Sequence, residues 1–299
     1  MTRSKRSLRN SARAALNNLI PAVLCFCLCG CFFLPGKQAY NTQNLTKTLQ
    51  DLALADYKTE LSARLVGSTL WIYMPVTDLF VQCDLKDKSL EKFRIAENYG
   101  QVKGSVFKGK YNITAVPIKD KSCNIKINKE ISEKIGDLWK LIRRVLFGID
   151  KSQKDDIKFV SMVIADIKNG YEIKEIFYAR DLKRVSYGLM SIFEFQHRVI
   201  QDSYMSPLVI GDKAGRHVEY KDITLPEFVQ KQIEYRINLK FSKPEVEQSA
   251  DINKEVSKII TETLQIYNLT DVGYIEFTNY GSNSTVTLTD RDIWGKIKK

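Results

Sequence analysis

The sequence predicts an α+β protein in which helices and β-hairpins build small mixed or antiparallel sheets. Three observations predict it. Apolar residues recur at helical spacing in some stretches and at every second position in others. The turn dipeptides Gly67-Ser68 and Asn169-Gly170 separate runs of β-forming residues. The order helix, strand, strand appears as many as three times, near 45–75, 131–178 and 252–288. No residue pattern matches between these stretches, so they read as common small α+β units.

Taken in order, Leu45, Leu49 and Leu52 open the first helix. Leu61, Ala63 and Leu65 then alternate with Glu60, Ser62 and Arg64, a strand pattern. Gly67-Ser68 suits a type II′ turn, because glycine tolerates positive φ, and residues 69–74 make the return strand, closed by Pro75. Short strands are expected at 79–81, 111–116 and 125–127, with the charged stretch 86–110 read as a solvated loop holding a short helix. Asn128 is placed to cap a helix whose apolar stripe is Ile131, Ile135, Leu138, Trp139, Ile142, Val145 and Leu146. Residues 159–164 are nearly all apolar, as in a strand covered on both faces and therefore central to its sheet. Asn169-Gly170 turns that strand into its partner, 171–178.

Asp181 is read as the cap of a further helix, broken or bent near Gly188, followed by a loop over 202–220. Thr224-Leu225-Pro226-Glu227 is a capping box with proline in the first turn. Helix and strand patterns compete over 235–241. Ile252, Val256, Ile259, Ile260 and Leu264 mark the last long helix, and 272–277 with 285–288 the last hairpin. The chain-order reading is a first α+β domain over 45–127 and a second over 128–299.

The first forty residues belong to neither domain. Arg3, Lys5, Arg6, Arg9 and Arg13 precede an apolar run over 19–34, and no acid occurs before Asp51. Positive then apolar is the layout of an export signal. The run falls short of the roughly 20 residues that span a bilayer. At its end stand Leu28, Cys29, Gly30 and Cys31. These residues resemble the lipobox of bacterial lipoprotein precursors, with Cys29 in the place of a small residue. The resemblance covers residues 1–31 only. It implies a signal peptide over 1–30, a diacylglyceryl group on the thiol of Cys31, and a tether over 31–44. Phe32, rather than Asp, follows the cysteine, which by the same resemblance favours an outer membrane where the organism has one. The alternative is an uncleaved signal anchor leaving through Pro35-Gly36. Cys25, Cys27, Cys29 and Cys31 alternate within an apolar run, poorly placed for a tetrahedral metal site.

Removing residues 1–30 removes five cations and lowers the formal charge from +11 to +6. The remaining excess is spread along the chain as on a solvated surface. An exported chain without a binding motif excludes nucleic acid as the expected partner. The expected partners are the membrane, through Cys31, and an envelope protein or polymer. Cys83 and Cys123 remain as a candidate disulfide in an oxidising compartment, or as two buried thiols.

No nucleophile elbow, phosphate loop, dinucleotide fingerprint, zinc motif or calcium loop is present. No metal or cofactor is expected. The best candidate site is the glycine-flanked loop carrying Asp212, Arg216, His217 and Glu219, since loops carry function more often than helices do. The same residue types also make ordinary turns. Asp155-Asp156 and Asp290-Arg291-Asp292 are paired acids near element ends, read as solvated turn or cap residues, although a glycan hydrolase needs only two carboxylates at the right separation in space. Trp71 with Tyr73, and Tyr274 with Phe277, are hairpin aromatics that stack on sugars or fill a core. The expected function is a membrane-anchored envelope lipoprotein acting as a non-enzymatic interaction or assembly module. Ligand or polymer binding, and a cell-surface hydrolase using carboxylates, are the alternatives.

Overall fold

The computed structural model describes residues 40–149, 157–243, 246–247 and 250–295, with backbone alone at 83–90 and 119–124. The fold is α+β. Its elements run α1 (Leu45–Tyr57), β1 (Ser62–Val66), β2 (Thr69–Val76), β3 (Phe80–Lys103), β4 (Val106–Ile127), α2 (Lys129–Gly148), β5 (Phe159–Asp166), β6 (Tyr171–Tyr178), α3 (Ala179–Ser186), α4 (Ile192–Arg198), β7 (Ile200–Met205), α5 (Leu225–Phe241), α6 (Ile252–Ile266), β8 (Tyr274–Asn279), β9 (Ser284–Thr289) and α7 (Asp290–Trp294). All three expected helix–strand–strand units are present: α1-β1-β2, α2-β5-β6 and α6-β8-β9.

The compact units follow strand pairing rather than chain order. One comprises Met1–Leu85 and Cys123–Ile223, the other Lys86–Ser122 and Thr224–Lys299. The chain-order boundary near 127/128 falls inside the first unit, because β2 pairs with β5 across it, Leu70 against Val160 and Ile72 against Met162. Sheet formation buries those apolar residues whatever their distance along the chain.

The first unit holds a five-stranded mixed sheet in the order β1-β2-β5-β6-β7. β5 is its middle strand and is buried along its whole length, as its apolar run predicts. Period-2 alternation gives the sheet two different faces. Leu70, Ile72 and Met74 of β2, Val160, Met162 and Ile164 of β5, and Ile173 and Phe177 of β6 meet the helices. There Trp139 of α2 packs on Phe177 (4.5 Å between ring centroids) and on Phe195 of α4 (5.8 Å). The other face carries Trp71, Tyr73, Glu172 and Lys174, and the segment 206–223 lies over it.

Local signals account for most element ends. Asn128 caps α2 by accepting from the Glu130 backbone N–H at 3.1 Å. Gly67 takes φ +57° while Ser68 keeps negative φ, the type II′ pattern. The Asn169-Gly170 turn is wider than a two-residue loop. Asp166 is buried at the end of β5, and its carboxylate accepts from the Lys168 and Asn169 backbone N–H groups and from Leu79 N. Those bonds hold it below the usual carboxylate range against the opposing effect of burial.

Three readings change. Residues 86–103 form strand, not loop and helix, because β3 pairs with β4 along a ladder that no local apolar pattern marks. Residues 200–205 form β7, pairing with β6. Asp181 lies inside the first turn of α3 rather than at its cap, nearly buried and 3.2 Å from Arg198. Of the break or bend expected near Gly188 the structure shows the break, between α3 and α4, with Gly188 at φ +71°.

The second unit holds the sheet β3-β4-β8-β9, with β4 and β8 parallel. Competition over 235–241 resolves to helix. Thr224 and Glu227 complete the capping box, and Phe228, Val229, Ile233, Ile237 and Phe241 keep one buried face. Tyr111 packs on Phe277, and Phe228 on Tyr267.

Candidate functional site

The second face of the five-stranded sheet would leave aromatic and charged residues in water if nothing lay over it. The segment 206–223 covers it and is held at two places. At one end the Asp222 carboxylate accepts from Ser68 N (2.9 Å) and Thr69 Oγ1 (2.9 Å), gripping the β1–β2 turn. Nearby, the Trp71 indole N–H donates to Lys221 O at 2.8 Å.

At the other place His217 is clasped between two carboxylates. Its Nε2 lies 2.6 Å from Glu172 Oε2, and its Nδ1 lies 2.5 Å from Asp212 Oδ2. Glu172 projects from β6 with its side chain 1% exposed, and that of His217 is 9% exposed. Tyr204, register partner of Glu172 on β7, donates its hydroxyl to Glu172 Oε1. Tyr73 donates its hydroxyl to the Asp212 carbonyl at 2.5 Å and meets the imidazole edge-on. Asp212 also accepts from the backbone N–H groups of His217 and Ala214. Glycine is required at 215: its φ is +69°, and a Cβ there would stand 2.8 Å from Cγ of Tyr73.

Each ring nitrogen faces a carboxylate oxygen, so each carries a proton and the ring is an imidazolium. Burial opposes that charge, but the hydrogen bonds to Glu172 and Asp212 outweigh it and raise the His217 pKa above its ordinary value. Burial pushes the Asp212 carboxyl up, while N–H donors from His217, Arg216 and Ala214 hold it far below the usual range. The Tyr73 hydroxyl is pushed up by burial and by the neighbouring carboxylates.

A general base needs a lone pair aimed at the proton it takes, and here both are occupied. The arrangement therefore holds charge and position: it fixes the covering segment on the sheet. Among the described residues no group of three or more His, Cys, Asp or Glu is arranged to hold a metal ion.

Of the four loop residues singled out in the sequence, Asp212 and His217 meet. Arg216 and Glu219 are exposed, and Arg216 contributes only its backbone N–H. Glu172, Tyr204 and Tyr73 complete the cluster. Of these only Tyr73 is marked in the sequence, as a hairpin aromatic; Glu172 and Tyr204 reach the histidine through the β6–β7 register. Three of the four hairpin aromatics are core, Trp71, Tyr73 and Phe277 being each 1% exposed or less, while Tyr274 is half-buried. Asp292 serves the capping box of α7, accepting from Thr289 N at 2.8 Å. His197 sits exposed in the last turn of α4. Cys31, the signal segment and Asp155-Asp156 lie outside the described residues, as do the side chains of Cys83 and Cys123. No described helix is long and apolar enough to cross a membrane. Comparison with protein-family models, with curated proteins and with solved structures found no match to this chain.

Proposed function

We propose that this chain is a lipid-anchored envelope protein whose folded body is a non-enzymatic interaction or assembly module, held at the membrane through Cys31 and engaging an envelope protein or polymer. One observation carries the non-enzymatic part: the cluster most like a catalytic constellation has both His217 nitrogens closed by Glu172 and Asp212. Anchoring is supported by the basic start, the apolar run and Leu28-Cys29-Gly30-Cys31 at its end.

Metabolic labelling with an alkyne fatty acid tests the anchor. The parent chain should take up label and fractionate with membranes. Cys31→Ser should lose the label, and retained labelling in that variant refutes the assignment. Turnover of a cell-wall glycan by the purified protein, abolished by an Asp or Glu substitution that leaves the fold intact, would replace the binding role with catalysis.

A further inference from the structure

The first unit exposes a cluster of large apolar side chains that its core does not use. Leu189 is 76% exposed, and Tyr187 and Phe193 are 64% exposed each. All three lie on the turn between α3 and α4 or on the first turn of α4. Isolated exposed apolar residues are ordinary, but contiguous ones mark an interaction surface.

The surroundings say what kind of surface. On α3, Arg180, Lys183 and Arg184 lie three and four residues apart and lead along one helical stripe to Tyr187, opposite buried Ala179 and Leu182. The two acids of 179–198 are engaged within the unit: nearly buried Asp181 lies 3.2 Å from Arg198 and 3.7 Å from Arg184, whose side chain stays 45% exposed, and Glu194 lies 2.8 Å from Arg198. A cationic stripe ending in an aromatic and aliphatic tip is the composition that seats in the interface of an anionic bilayer.

Position gives the second argument. Tyr187 packs edge-on against Phe147 in the last turn of α2, at 5.4 Å. The described chain begins at that same helix end, where Tyr40 N donates to Gly148 O at 2.7 Å. Cys31 precedes Tyr40 by nine residues, a reach of at most about 30 Å. An anchor on Cys31 therefore lets the tip of Tyr187, Leu189 and Phe193 reach the bilayer.

We infer that the α3–α4 turn is a membrane-docking knob, in which Tyr187, Leu189 and Phe193 enter the interface of an anionic lipid surface while Arg180, Lys183 and Arg184 meet its headgroups. The inference rests on the anchoring reading above for its geometry. It orients the first unit on the bilayer, with the Gly170 turn, at the other end of β6, pointing away.

Single tryptophans report the contact. Leu189→Trp and Leu208→Trp place an indole on the knob and on a second exposed site, Leu208 being 71% exposed near the Gly170 turn. Each full-length variant is mixed with vesicles containing about one third phosphatidylglycerol and brominated phosphatidylcholine, with the parent chain's fluorescence subtracted. Quenching of Leu189→Trp should exceed that of Leu208→Trp at least twofold and should weaken in vesicles of phosphatidylcholine alone. Equal quenching at the two sites overturns the knob. Flotation and fatty-acid labelling are read on the same samples and judge the anchor separately. An unlabelled chain whose Leu189→Trp is still selectively quenched sustains the knob while removing Cys31 as its anchor. A labelled, floating chain without selective quenching keeps the anchor and removes the knob.

Discussion

Glu175→Gln is expected to stabilise the first unit at pH 8 by up to about 3 kcal/mol and to change it little at pH 5. Glu175 lies on the helix side of β6, opposite Gln201 in the β6–β7 register. Gln201 Nε2 donates to its Oε1 at 2.8 Å, and the Trp139 indole N–H lies near enough to favour the charged form without completing a well-formed hydrogen bond to Oε2. Burial pushes this carboxyl up to about 7 from an ordinary 4.5. The unfolded chain thus gives up the proton first as pH rises. The stability tied to this group is fully present below about 4.5, drains away up to about 7, and stays lost above it. At 1.36 kcal/mol per pKa unit the shift corresponds to the figure given. A neutral amide does not ionise, so urea unfolding followed through Trp71 and Trp139 should show a flatter pH dependence in the variant. Parallel stability profiles from pH 5 to pH 8 would mean that Glu175 does not ionise differently in the folded state.

The legible parts of the fold are those whose signal is local. β5 announced itself because a strand covered on both faces must be apolar throughout. Thr224 with Glu227 fixed the start of α5, and its continuous buried stripe from Phe228 to Phe241 outweighed the alternation over 235–241. β3 was not legible between 91 and 103. There one apolar side chain, that of Phe93, is 4% exposed among polar neighbours. Its strand character comes from pairing with β4, which no local pattern records. The site divides the same way. Asp212 and His217 are five residues apart on one glycine-bounded loop and can be noticed together. Glu172 and Tyr204 become neighbours only through the register of β6 and β7, and Tyr73 arrives from β2, two strands from β6. A buried imidazolium needs carboxylates from somewhere, yet the sequence does not say which acids a sheet will bring to it. The boundary near 127/128 fails for the same reason, since β2 finds its partner β5 on the far side of a long β-hairpin.

His217→Ala should destabilise the first unit by about 3 kcal/mol or more, the usual cost of breaking a buried ion pair. The side chain removed is 9% exposed and leaves Glu172, 1% exposed, with its Oε2 unpaired. The sequence alone places His217 on the candidate loop but outside any recognised motif. Its cost arises from the two carboxylates that the fold gathers around it. The loss should depend on pH. The folded-state pKa of His217 is raised, so its contribution is whole below the unfolded value of about 6.5 and is lost as pH rises through the folded one. Asp212, whose folded pKa is depressed, contributes above its unfolded value near 3.9 and loses that contribution as pH falls. The clasp is therefore strongest between about pH 4 and pH 6.5, and the gap between parent and His217→Ala should be widest there and narrow as pH rises through the folded-state value of His217. Paired with Glu172→Gln in a double-mutant cycle, the two substitutions should be strongly non-additive, because the second removes a charge that the first left stranded. His197→Ala, at an exposed helix end, should stay within about 0.5 kcal/mol of the parent. Fatty-acid labelling of His217→Ala should be unchanged, since anchoring lies in the signal segment and not in the clasp. If His217→Ala proves no more destabilising than His197→Ala at pH 6, the covering segment is held by Asp222 and Trp71 alone, and the clasp makes no contribution to the fold.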